Sequence, residues 1–237
     1  MRFGALFLAA LLALSPGRNA WARESESPRQ LTAAERNRLR AVRNGLNYLA
    51  RNQNRDGSWG DSAGKVGISS LCLLAFLAQG HQEGRGEYAE TKTLRKGVKF
   101  LLRQSLTAER EGMPVGYISL PKTADPDSRM HGHGYATQVL VLAYSSAPSR
   151  DPRTAELKTK IQRAVRVIED SQTITGGWGY EPKHASSHEG SVTVTVVQAL
   201  RLARDTGFVV DKEVHDRGLK YLIDSQKRDG SFKYALM

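Results

Sequence analysis

Apolar positions recur along this chain in two patterns. In the first, Leu39, Val42, Leu46 and Leu49 fall at helical spacing with Arg and Asn between them, which predicts an amphipathic helix. Thr32 and Glu35 form a capping box at its start. Asp151-Pro152 and Asp211 are suited to cap two later helices of the same kind. In the second pattern, Val66 to Leu77, Tyr135 to Tyr144 and Val192 to Leu202 are apolar nearly all round, broken by a few Ser, Thr and Gln. A helix of that type belongs between other elements. The fold class predicted is all-α, with an inner ring of apolar helices inside an outer ring of amphipathic ones.

A repeat joins the two patterns. With Gly45 as origin, Tyr48, Leu49, Gln53, Gly57 and Trp59 follow at +3, +4, +8, +12 and +14. The same offsets from Ala164 give Val167, Ile168, Gln172, Gly176 and Trp178, and from Gly218 they give Tyr221, Leu222, Gln226, Gly230 and Phe232. A degenerate copy starts at Gly97, with Gln104 one position early and Gly116-Tyr117 as a looser turn. Such self-similarity marks a repeat architecture of helical hairpins. Gln53, Gly57, Trp59, Gln172, Gly176, Trp178, Gln226, Gly230 and Phe232 are assigned to structural turns at the outer-to-inner corners. There Gln can bond free helix-end groups, Gly accepts positive φ, and the indole packs over the corner.

The N-terminus changes the picture of where the protein works. Arg2, the apolar run Phe3 to Leu14, the break at Pro16-Gly17 and Ala20-Trp21-Ala22 make a signal peptide of residues 1–22. Residues 23–237 are then an exported repeat domain, periplasmic or extracellular. That apolar run is about 12 residues, short of the roughly 20 that span a bilayer, and no later segment is long enough. The formal charge of +11 is spread over all the helices beside Asp and Glu, so it reads as a solvated outer face, and no nucleic-acid partner is predicted. Cys72 is the single cysteine, which excludes an internal disulfide and suits a small buried hydrophobe. No cofactor is predicted.

From about Arg40 to Tyr234, the Gln-x3-Gly-x-aromatic pattern resembles the QW repeat of the prenyltransferase and squalene-oxidase repeat superfamily. The resemblance implies an α/α-toroid whose central cavity, in the known enzymes, holds isoprenoid chains. His131-Gly-His-Gly-Tyr-Ala-Thr137 is similar to a feature of exported bacterial members. The catalytic apparatus departs from that family. Asp125-Pro-Asp127 is followed by Ser128 where a cyclase has its last Asp, and Cys72 is preceded at −2 by Ser70 rather than by a zinc-binding Asp. The implied function is a non-catalytic or degenerate toroid binding an apolar, isoprenoid-like ligand or a protein partner. The alternative is a terpene-cyclase-type isomerase or lyase acting on a polyprenyl or triterpene substrate. A polysaccharide-acting barrel would want a carboxylate pair on an aromatic-lined groove, and it ranks last because the aromatics are mostly committed to turns.

In such a ring the inner helices run the same way, so 61–67, 125–134 and 184–191 gather at one mouth. Asp127 and His131 are the catalytic candidates, and His133, His184, His188 and Glu189 are ligand-binding candidates at that mouth. Thr137, Gln138 and Thr193 interrupt the inner helices and are candidates to line the cavity, although buried Ser and Thr equally bond back to the preceding turn. Three chemistries stay open. His131 and His133 with His188 or Glu189 suit a metal, although no metal is assigned. Asp127 with His131 or His188 suits acid–base work. The third is a polar rim that caps helix starts. The last repeat reaches Gly230 to Met237 where its inner helix would begin, which predicts an incomplete ring. Either the chain is a fragment or truncated product, or a protein partner completes the ring.

Overall fold

The computed structural model describes residues 30–61, 63–125, 129–147, 151–183 and 187–236, so the signal peptide expected at residues 1–22 lies outside the described residues. The described residues fall into two units that divide after Val42. The first opens helix α1 (Ala33–Arg51) with the expected capping box. The Thr32 N–H donates to the Glu35 carboxylate at 2.8 Å, and the Glu35 N–H donates to the Thr32 hydroxyl at 3.2 Å.

The second unit carries α2 (Lys65–Ala78), α3 (Thr93–Gln104), α4 (Arg129–Ser146), α5 (Thr154–Asp170), α6 (Gly190–Asp205) and α7 (Lys212–Ser225). Helix α4 packs between α2 and α6 to make the inner layer, with α3, α5 and α7 laid outside them. Val66, Leu73, Phe76, Leu140, Val196 and Leu200 fill the space between the layers and are fully buried. This is the layering of an all-helical α/α-toroid. Among the described residues no helix is long and apolar enough to cross a membrane.

The inner helices are not enclosed all round. Each keeps one stripe open on the side away from the outer layer. On α2 it is Ile68 and Leu71, and on α6 it is Ser191, Val194 and Gln198. On α4, His131, Tyr135, Gln138 and Leu142 are half-buried along the same kind of line. The α2 stripe escapes a pattern-based reading because its open positions are as apolar as its packed ones.

Helix α4 also starts six residues before Tyr135, which puts His131 and His133 on a helix and not in a glycine-rich loop. Gly134 serves close packing. A Cβ at Gly134 would lie 2.8 Å from the Thr195 methyl, so Gly134 lets α4 approach α6. Asp151 also differs from expectation. It binds the Arg153 N–H and guanidinium in the turn before α5, whereas Asp211 caps α7 directly through the Glu213 and Val214 N–H groups.

The turns divide their labour differently from the sequence-based expectation. The indole N–H of Trp59 donates to the Leu49 carbonyl and that of Trp178 to the Ile168 carbonyl, so tryptophan satisfies the free helix end. The Gln amides instead tie one repeat to the next. Gln53 donates to the Gly57 and Thr93 carbonyls, and Gln172 donates to the Gly176 and Val214 carbonyls. The last copy keeps the turn backbone, with the Lys227 N–H on the Ser231 carbonyl and the Gly230 N–H on the Lys227 carbonyl. There Gln226, Gly230 and Phe232 are exposed. Gln172→Ala strands the Gly176 carbonyl in a buried joint and cuts the tie to Val214, and is expected to cost about 1–3 kcal/mol. Gln226→Ala should stay within about 0.5 kcal/mol. Urea denaturation of the two variants checks this, and equal effects would remove the linking role.

Candidate functional site at the inner-helix mouth

The starts of the inner helices meet, and specific bonds hold them together. Asp125, just before α4, is buried and accepts the Gly64 N–H at 2.7 Å and the Val66 N–H at 2.9 Å, which caps α2 from outside. His131, in the first turn of α4, reaches α6, where its Nε2 lies 2.8 Å from the Ser191 hydroxyl.

Glu189 is the centre of this mouth. It is the N-cap of α6 and only 2% exposed. Its Oε1 accepts the Val192 N–H at 3.2 Å and the Ser191 hydroxyl, and lies 3.4 Å from His131 Nε2. Its Oε2 is buried and has no hydrogen-bond partner. Beside it, the hydroxyls of Tyr180 and Tyr234 bond to each other at 2.7 Å. The Tyr180 ring lies 5.6 Å from the His131 ring, with the Arg129 guanidinium 5.7 Å from its centre. Backbone bonds fix both tyrosines. The Tyr180 carbonyl takes the Met130 N–H, and the Tyr234 carbonyl takes the Gly190 N–H.

The electrostatics give each group a defined protonation state at neutral pH. Burial pushes the Glu189 carboxyl up, but the hydroxyls of Ser191, Tyr234 and Tyr180 and the Val192 N–H outweigh it, so the acid titrates below its ordinary value. Burial pulls His131 down more strongly than Glu189 pulls it up, so the imidazole is neutral. The neighbouring Glu189 carboxylate and Tyr180 hydroxyl raise Tyr234, so the phenol keeps its proton. The mouth therefore holds an ionised carboxylate, a neutral imidazole and a protonated phenol. Ser191, His131 and Glu189 do not form a nucleophilic triad, because serine and carboxylate both face the same ring nitrogen.

The remaining candidates are placed elsewhere or already bonded. His133 is fully buried, with Nδ1 accepting the Ile118 N–H at 3.0 Å and Nε2 3.0 Å from the Ala164 carbonyl. It has no open face for a ligand, because it replaces the missing turn bonds of the degenerate repeat. His188 Nδ1 is paired with the Tyr221 hydroxyl at 2.9 Å. Thr137 and Thr193 bond back to the carbonyls of His133 and Glu189, and Gln138 donates to the Thr195 carbonyl. Asp127 and His184 lie outside the described residues. Among the described residues no group of three His, Cys, Asp or Glu side chains is placed to hold a metal. Cys72 is half-buried, and burial pushes its thiol up to about 11, so it is not a thiolate nucleophile.

Tyr180 and Tyr234 are the residues that spacing could have found. Each stands two positions after its turn aromatic, Trp178 or Phe232, at the same offset in the repeat. The next-repeat register then brings them together.

No family model matches this chain. Solved structures share its fold. A polysaccharide lyase aligns with TM-score 0.56 at 17% identity, covering 84% of this chain and 58% of the other. A glycosyl hydrolase of family 88 from Bacteroides vulgatus aligns with TM-score 0.57 at 19% identity, over 84% and 59%. A family 105 glycoside hydrolase from C. acetobutylicum ATCC 824 aligns with TM-score 0.61 at 14% identity, over 84% and 61%. The chain spans about three fifths of the length of each. At these identities the likeness establishes the α/α-toroid fold, and the squalene-cyclase-like toroid agrees with it only at that coarse level.

Proposed function

We propose that this chain is an exported toroid domain performing lyase-type proton transfer on a saccharide-type, hydroxyl-rich substrate at the inner-helix mouth. The observation that carries this reading is Glu189, a buried carboxylate with one oxygen unpaired beside a neutral imidazole and a protonated phenol. A buried acceptor without a donor is costly, and a substrate hydroxyl or an acidic C–H group would meet it. The names of the fold neighbours point to the same substrate class, by analogy of fold alone.

Glycosidic hydrolysis ordinarily uses two carboxylates across the scissile bond. Among the described carboxylates near the mouth, Asp125 is occupied by two backbone N–H groups, and Glu181 lies 3.4 Å from Lys122 and 3.6 Å from Arg129. Elimination needs only one base and one acid. Glu189 takes the proton of a C–H bond, the electron pair forms a C=C bond, and the adjacent C–O bond breaks. Tyr234 returns a proton to the leaving oxygen, with His131 orienting Glu189 through Ser191.

The test is incubation of the purified protein with a panel of neutral and acidic polysaccharides, following the appearance of an unsaturated product. Glu189→Gln should lower the rate by about 10²–10⁴-fold with the helical circular dichroism unchanged. No product from the unaltered protein, or full activity in Glu189→Gln, would end this reading. The apolar, isoprenoid-like ligand implied by the repeat resemblance is a second reading, favoured by the open Ile68 and Leu71.

A further inference from the structure

The polar mouth does not stand alone on the open side of the inner layer. Ile68, in the first turn of the neighbouring inner helix α2, has its side chain against Gly60 and Gly64 just before that helix. One turn deeper on the same helix come Leu71, which is 49% exposed, and the half-buried Cys72, followed by Ala75. This wall carries no hydrogen-bonding side chain over about two helical turns. On the other flank, Val194 is exposed one turn below Ser191. Parallel inner helices thus set a site rich in hydrogen-bonding groups at their starts and an apolar strip running away from it. A free sugar would use only the first of these, and a plain hydrocarbon only the second.

We infer that the ligand of this site is an amphiphile, a hydroxyl-rich head group joined to an apolar chain. The head sits against Glu189, His131 and Tyr180, and the chain lies along Ile68, Leu71 and Cys72. The inference rests on the proposed mouth site for its head-group half and on the α2 strip for its tail. Both readings of the ligand class, saccharide and apolar, then describe parts of one molecule. Apolar burial gives such a ligand affinity that grows with chain length, about fourfold per methylene that reaches the strip.

The experiment uses the full chain and alkyl β-glucosides from butyl to octyl, each below its micelle-forming concentration, with glucose and 1-octanol as the separate halves. Calorimetry is expected to show affinity rising about fourfold per methylene, with octyl glucoside far above both halves. Leu71→Asp, an exposed position, should flatten that series while leaving glucose binding unchanged. Glu189→Gln should weaken every glucoside by a similar factor and leave 1-octanol unaffected. Glucose binding without chain-length dependence would overturn the amphiphile while sparing the mouth site. Chain-length dependence untouched by Glu189→Gln would overturn it from the other side, and that outcome would sink the mouth site too. A dimer in solution whose Leu71→Asp variant becomes monomeric, with no chain-length dependence, would assign the strip to a second copy and also overturn it.

Discussion

Gly57→Ala is expected to destabilise the fold by about 2–5 kcal/mol, whereas Gly230→Ala, at the same offset of the repeat, should cost only about 1–2 kcal/mol. Both glycines have left-handed backbone, with φ of 92° and 85°, so an added Cβ meets the same local penalty of about 1–2 kcal/mol at either site. The difference lies in what stands outside the turn. A Cβ at Gly57 would collide with the Lys96 carbonyl of α3, while at Gly230 nothing lies within 4 Å. A rigid backbone carbonyl cannot rotate away, so the joint between repeats must open, at about 1–3 kcal/mol more. Gly176→Ala should follow Gly57→Ala, because its Cβ would fall 2.6 Å from the Arg217 carbonyl. Chemical denaturation of the three variants decides it. Equal losses at Gly57 and Gly230 would mean that the turn glycines serve only their own conformation.

The same contrast explains which features a single sequence exposes. The offsets from Gly45, Ala164 and Gly218 are local, so the repeat, the hairpins and the corner turns were readable from residue type and spacing. The Gln53 bond to Thr93 spans 40 residues, and no local pattern names that partner. The degenerate copy is less legible still. Its glycine is Gly116, pressed against Arg163, and its bridging side chain is His133 from the following helix. The use of Gly134 in bringing α4 onto α6 is a tertiary effect that spacing does not reveal. The mouth was located through helix polarity, and Glu189 and His131 with it. Its tyrosines escape a reading by spacing because Tyr180 and Tyr234 follow turn aromatics that already have a structural role.

His133 carries the second large effect, and it is a pH effect. Its ring joins the Ile118 N–H of the degenerate turn to the Ala164 carbonyl of α5, a joint made elsewhere by serine, threonine and glutamine. Accepting at Nδ1 and donating at Nε2 requires the neutral ring. Full burial, opposed only by the bond to Ala164, pulls its pKa down from 6.5 to about 4. The unfolded chain therefore takes up a proton at higher pH than the folded one does. The stabilisation is complete above pH 6.5 and is lost as pH falls toward 4, by about 3 kcal/mol in all. At pH 7, His133→Ala leaves the Ile118 N–H buried and unpaired, vacates the ring's space and removes the extra bond on the mid-helix Ala164 carbonyl, and should cost about 3–4 kcal/mol. At pH 4.5 the gap between the two proteins should narrow by about 2–3 kcal/mol, because the alanine variant has no such proton to take up. His131 is pulled down in the same direction, but it is present in both proteins and cancels in the comparison. Urea denaturation at intervals from pH 7 to 4.5 measures the gap. Parallel curves would show that His133 does not titrate as its burial requires, and the degenerate turn would need another explanation.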